Sequence, residues 1–306
     1  MLYAIVGHAH IVQTYQKIYT LLIQRLSPDR LQWLEHTIHL SQSDYSERFF
    51  LTAFSLLPRQ LGKDDLQLTP LEYLHLSSLI PRQPHWIPQH WTLEHLGRSL
   101  LLLSQFPDRL EPLFAQLYGI GSVSEQVALL QALPLLPESD RYLYWAQEGF
   151  RSHITAVFNA IALNNPYPAE YFDMTTWNQL VLKAMFVGSP LHLIWGLDDR
   201  ANVTLSRMSM DYLHERWAAG RTVTPEFWRV VAPFMDQAHC SDLQMALQRC
   251  NGIGQLAVGL LCFQSMVPEI SNLLMDYPDV YRQLESGLIT WEYIYQHRLD
   301  PLVDGN

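Results

Sequence analysis

At 306 residues the chain exceeds the length at which one core usually stops growing, so two packed subdomains or an elongated helical stack are expected. Hydrophobic residues make up 48% and aromatics 12%, while charged residues reach only 16%, which leaves room for partner-covered surface. A net charge of −10 argues against nucleic acid or an anionic membrane bound through a basic face. The cations are Lys17, Lys63, Lys183 and otherwise arginines, a bias toward fixed ion pairs inside or between helices.

The first residues, Met1 to His8, carry no basic region and too short an apolar run for a signal peptide, so a cytoplasmic location is expected. Farther along, Ser27-Pro28, Thr69-Pro70, Ser189-Pro190 and Thr224-Pro225 each set a hydroxyl cap before proline at a first helical position. Thr69 to Glu72 and Ser122 to Glu125 also have capping-box spacing. Apolar residues three and four apart predict helices over 10–26, 29–39, 44–57, 70–80, 92–106, 109–118, 123–133, 139–163, 175–187, 190–196, 202–219, 225–235, 241–249, 252–265, 268–276, 278–286 and 290–298. Strand-like alternation is absent. The fold class is therefore all-α, with antiparallel helix pairs stacked as an α-solenoid-like array of the HEAT or armadillo kind, although no fixed period recurs. The chain divides into 1–134, 135–235 and 236–306, or forms one continuous domain. Pro81, Pro84 and Pro88 mark an irregular connection, and Asn165-Pro166-Tyr167-Pro168 a stiff, extended one. The uncharged stretch Cys250 to Pro268 reads as a buried core helix, because Asn251, Gln255, Gln264 and three glycines suit a membrane span poorly. Cys240, Cys250 and Cys262 show no paired spacing and read as free thiols.

Chemistry is sought where a polar group interrupts an apolar helix face, because burying it without a partner costs about 1–3 kcal/mol. Over 202–219, Leu205, Met208, Ser209, Tyr212 and Leu213 form an arc that contains Arg216. That arginine needs a carboxylate or carbonyl from another helix, as an inter-helix ion pair, or else a ligand anion. Asp211 and His214 share the opposite face, as in carboxylate-bridged metal sites, but no second matching motif stands out and no metal is expected. Asn178, among Val181, Leu182 and Met185, is expected to be buried and hydrogen-bonded. Over 139–163, Arg151, Thr155 and Asn159 follow at four-residue steps, forming either a polar groove floor or the outside of the stack. Phosphate-binding loops, dinucleotide-binding glycine turns and nucleophile elbows are missing, so no cofactor is expected. His239 and Cys240 are neighbours on a helix and do not face one another.

The runs Ala160 to Asp173, Trp177 to Leu191, and Gly196-Leu197-Asp198 through Asp211 to Arg221 resemble the EboA family, with support from Leu57 to Lys63 and Leu133 to Pro137. The resemblance implies a cytoplasmic component of a gene cluster that also encodes a UbiA-like membrane prenyltransferase, a TatD-like hydrolase, and sugar-isomerase-like and dehydroquinate-synthase-like enzymes. It implies traffic of secondary-metabolite precursors from cytoplasm to periplasm and carries over no catalytic residue. Asp199 stands where a second basic residue is expected, which weakens an anion site at Asp198 to Arg200. The expected function is a non-catalytic helical adaptor that binds a cluster partner or a hydrophobic metabolite, without nucleic acid and without membrane insertion. The alternative is an enzyme acting on a prenylated or phosphorylated precursor through residues 150–221. The ligand-binding or partner-binding candidates are Arg151, Asn159, Asn165, Tyr167, Asn178, His192, Arg200, His214 and Arg216.

Overall fold

The computed structural model describes residues 9–43, 46–76, 79–80, 86 and 90–298. The Met1 to His8 start and the knot of Pro81, Pro84 and Pro88 lie outside the described residues. In chain order the helices are α1 (Ala9–Arg25), α2 (Pro28–Ser43), α3 (Glu47–Leu61), α4 (Pro70–Leu76), α5 (Leu93–Leu103), α6 (Pro107–Ile120), α7 (Val123–Ala132), α8 (Leu143–Arg151) and α9 (Thr155–Ala162). They continue with α10 (Tyr167–Tyr171), α11 (Met174–Val187), α12 (Val203–Ala218), α13 (Phe227–Val231), α14 (Cys240–Arg249), α15 (Gly252–Gln264), α16 (Pro268–Ser271), α17 (Pro278–Glu285) and α18 (Trp291–Gln296). Among the described residues, extended chain pairs only at the isolated bridge of Asp65 with Thr92, so the all-α expectation holds. No described helix is long and apolar enough to cross a membrane.

Both expected capping boxes form. Glu72 accepts from the Thr69 amide at 2.8 Å, and Glu125 accepts from the Ser122 amide at 2.7 Å, which occupies donors that a helix start leaves open. Arg25 grips the Glu72 carboxylate at 2.6 and 2.9 Å, tying α4 to the end of α1 and holding that carboxyl down at about 2.

Four local expectations are corrected. The helix expected over 139–163 breaks between α8 and α9, where the Ser152 hydroxyl accepts from the Ile154 amide at 3.1 Å. This local turn competes with the helical ladder and needs neither proline nor glycine. The Asn165-Pro166-Tyr167-Pro168 segment is not extended: the Asn165 side chain accepts from the Tyr167 amide at 3.0 Å and starts α10, in which Pro168 sits in the first turn. The 190–196 helix reduces to a 3-10 turn at Leu191–Leu193, and α13 begins at Phe227, two residues past Pro225.

By its internal packing the chain divides once, into a unit Met1–Phe172 and a unit Asp173–Asn306, whereas the sequence divides at 134/135 and 235/236. In the first unit, α5 packs on α1, α3 and α7, and every one of its residues except His95 is buried. A helix buried on nearly every side belongs in a core, and each leucine fully buried there contributes about 1.5–3 kcal/mol. Gly97 permits this depth, since a Cβ there would run into the Leu61 side chain of α3. One cation enters that core. Arg98 is 2% exposed and reaches Glu94 at 3.0 Å, the Ser124 hydroxyl at 3.2 Å and the Phe54 carbonyl at 3.3 Å.

In the second unit α15 is the buried centre, packed on α13, α14, α16, α17 and α18. Its Gly259 gives the same close approach, because a Cβ would lie 2.6 Å from Val280 of α17. Cys262 is buried there as a free thiol, pushed up to about 12 by burial. The pair α11 and α12 departs from the expected antiparallel pairing. Asn178 meets Asn202 near the start of both, and the Tyr212 hydroxyl donates to the Met185 carbonyl at 3.3 Å near the end of α11. The two helices therefore run in the same direction, and residues 188–202 carry the chain back along α11 between them.

Candidate functional site

The first unit contains a cavity of about 410 Å3 built from five separated stretches. Thr14 of α1, Leu79 and Ile80, Pro134 to Leu136, Glu138 to Asp140, and Glu170 with Tyr171 of α10 supply its walls. Five of its lining residues are apolar, and the others bring three carboxylates and three hydroxyls. Thr14 donates to the Leu79 carbonyl at 2.9 Å and ties two of the lining stretches together. Glu138 holds a left-handed backbone at φ 47°, a conformation that a side chain rarely adopts and that persists only when its surroundings enforce it. Arg141 pairs with the Glu138 carboxylate at 2.7 Å.

Asn165 and Tyr167 brace the cavity from behind. The Asn165 amide donates to the Leu130 and Ala160 carbonyls at 3.0 and 2.9 Å, and the Tyr167 hydroxyl donates to the Ser139 carbonyl at 2.6 Å. Burial, with Tyr171 and Asp140 nearby, raises the Tyr167 phenol far above its ordinary value, so it remains a donor and is no base. The Tyr167 ring also lies 4.5 Å from that of Tyr171, which lines the cavity. Among the described lining side chains there is no histidine, cysteine or lysine, and the Ser139 hydroxyl donates to the Leu136 carbonyl at 2.7 Å. The lining groups able to take a proton are the three carboxylates, and the arrangement suits holding a molecule with an apolar body and a polar end.

Residues 14–232 match the family model described as metabolite traffic protein EboA, which is more than half of the chain. The chain belongs to the EboA family. No curated protein and no solved structure matches it. Every residue lining the cavity falls inside the EboA match, and the helices from α14 onward fall outside it.

The sequence-derived candidates are dispersed, and none of the nine lines the cavity. Arg151 is exposed and paired with Glu148 at 2.7 Å. Asn159 is half-buried on α9, so the break at Ser152 removes the continuous face that joined it to Arg151. Asn178 is 2% exposed and forms a reciprocal amide pair with Asn202 at 3.2 and 2.9 Å, while Asn202 also caps α12. Arg200 lies over the Trp177 ring at 4.7 Å; burial lowers its pKa and Asp173 opposes that shift. His214 turns to Asp242 of α14 at 3.0 Å rather than to Asp211. Arg216 is a correction: it makes no inter-helix ion pair, but donates twice to the Thr222 carbonyl, at 3.1 and 2.9 Å, just past the end of its own helix.

His192 is the candidate with a chemical partner that sequence reading missed. Glu226, 5% exposed, accepts from the His192 imidazole and from the backbone amides of Leu191 and His192 at 3.2 and 3.0 Å. The imidazole stacks on the Tyr295 ring at 4.0 Å. Glu226 reads in sequence as a first-turn acid after Thr224-Pro225, and the late start of α13 is what frees it to cap the 191–193 turn instead.

Proposed function

We propose that this chain is a non-catalytic helical adaptor or binding protein in the traffic of secondary-metabolite precursors, and that it holds a small amphipathic molecule in the cavity of its first unit. The observation that carries the reading is convergence. The 134–140 and 165–171 segments, both proline-bearing, meet through Tyr167 and Ser139 around one space inside the family-matched region. Asp140 and Glu170, with Glu138 already paired to Arg141, favour a ligand whose polar end is neutral or cationic and disfavour a phosphate. The packing of α2 on α3, α6 on α7, α8 on α9 and α14 on α15 supports a solenoid-like array as the frame, with α11 and α12 as its exception. In this reading the protein works in the cytoplasm with other products of its gene cluster, a UbiA-like membrane prenyltransferase among them.

Calorimetric titration with octylammonium and with octyl phosphate tests the cavity. Octylammonium is expected to bind and to lose about tenfold in affinity, or about 1.4 kcal/mol, in an Asp140→Asn/Glu170→Gln variant. Equal binding of the two probes, or an unchanged affinity in the variant, sinks the assignment. One observation favours a second reading, an enzyme acting on a prenylated or phosphorylated precursor. The His192 imidazole held on the Glu226 carboxylate has the geometry of an oriented general base. Turnover that disappears in His192→Gln would bring that reading forward.

A further inference from the structure

A second recess, of about 590 Å3, lies in the second unit between α15, the Asn272–Asp276 turn and α17. Phe263, Leu274, Met275, Pro278 and Tyr281 line it together with Ser271 and Asn272, and the Phe263 and Tyr281 rings meet edge to face at 5.8 Å. Leu274 is buried at its base, whereas Met275 is 77% exposed and Tyr281 43% exposed. In the same stretch of chain Met266 is 96% and Leu288 75% exposed. An exposed, largely apolar recess marks an interaction site, and methionine adapts its shape to the apolar face of an incoming helix.

We propose that this recess is a docking groove for a basic amphipathic helix of a partner protein. Charge selects the occupant. Between Phe263 and Leu288 the exposed ionisable groups are Glu269, Asp276, Asp279 and Glu285, against one cation, Arg282, which pairs with Asp279 at 3.3 Å. An apolar groove in acidic surroundings attracts a helix flanked by lysine or arginine. The same charges repel an anionic lipid surface, and they repel a second copy of a chain whose net charge is −10. The groove lies beyond residue 232, outside the family match, and stands independently of the cavity in the first unit.

The test uses the full chain and a fluorescein-labelled Leu/Lys peptide of about fourteen residues, roughly four helical turns, beside a Leu/Glu peptide of the same pattern. The Leu/Lys peptide is expected to raise fluorescence anisotropy and the Leu/Glu peptide to leave it unchanged. Met275→Asn/Tyr281→Asn is expected to weaken binding about tenfold, as loss of an apolar anchor does. Asp276→Asn/Asp279→Asn is expected to weaken it as well and to flatten its salt dependence. Since all four side chains are exposed, unchanged circular dichroism and melting show that the variants fold. Three outcomes overturn the proposal. Binding that ignores the Met275/Tyr281 variant is unspecific charge attraction. A concentration-dependent dimer abolished by that variant makes the occupant a second copy. Adsorption to phosphatidylglycerol vesicles abolished by it makes the occupant a membrane.

Discussion

Two arginines, each set in an apolar helix face, end in opposite surroundings. Arg98 of α5 is 2% exposed and shares its site with Glu94, while Glu125 lies close enough to favour its charge. Arg216 of α12 is half-buried and satisfied by one carbonyl six residues on, with its guanidinium 5.9 Å from the Tyr212 ring. The difference lies outside either helix. Three helices cover α5, whereas the last turn of α12 meets the chain that follows it. An apolar arc reports which face a residue occupies, and only the neighbouring helices decide how deep that face lies.

The comparison breaks or sharpens by substitution. Arg98→Ala leaves Glu94 and Glu125 buried without their cation and is expected to cost about 3–5 kcal/mol in chemical denaturation, the largest effect in the chain. A loss under about 1 kcal/mol there would remove the distinction. The pH dependence of α5 comes next. Burial, with Arg98 beside it, lowers His95 from 6.5 to about 4, so the unfolded chain takes up a proton at a pH where the folded chain refuses it. Stability from neutral His95 is complete above 6.5 and is lost as pH falls toward about 4, by at most about 3 kcal/mol. His95→Gln should flatten that slope in denaturation curves across this window. Glu72 does not confuse the measurement, because its contribution declines only as pH falls from 4.5 toward about 2. In the second unit, Asn178→Ala strips the Asn202 amide of its reciprocal partner and is expected to cost about 1–3 kcal/mol. Arg216→Ala should be the mildest, under about 1 kcal/mol, because water can replace a carbonyl contact at an exposed helix end. A melting curve for Arg216→Ala as depressed as that for Arg98→Ala would overturn the comparison.

Legibility follows the range of the interaction. Thr69 with Glu72, and Ser122 with Glu125, are read correctly because a capping box closes over three residues. Asn178 is also anticipated, since a buried amide on an apolar face must find a partner, although nothing local names Asn202. The break at Ser152 escapes because serine inside a helix usually stays silent, and its competing turn becomes visible only in the folded backbone. The cavity escapes for a different reason. Its walls come from stretches as distant as Thr14 and Tyr171, and no periodicity joins them. The one signal that points there is indirect: Leu133 to Pro137 and Ala160 to Asp173 both carry the family resemblance, and both interrupt regular helix. Glu226 escapes because a first-turn acid already has an explanation, and only the shift of the helix start to Phe227 withdraws it.

The shared direction of α11 and α12 sets an order on how this chain acquires its structure. Neighbouring helices such as α14 and α15, joined by two residues, find each other by local closure, which is fast. The parallel pair has no such shortcut, because residues 188–202 must travel back along α11 before Asn202 can reach Asn178. Closing that crossover fixes a loop whose reward arrives only when both ends are seated. Assembly of α11 on α12 is therefore expected to follow the closure of adjacent pairs, and a protease that cuts the crossover first would leave two helices with no short turn to bring them together.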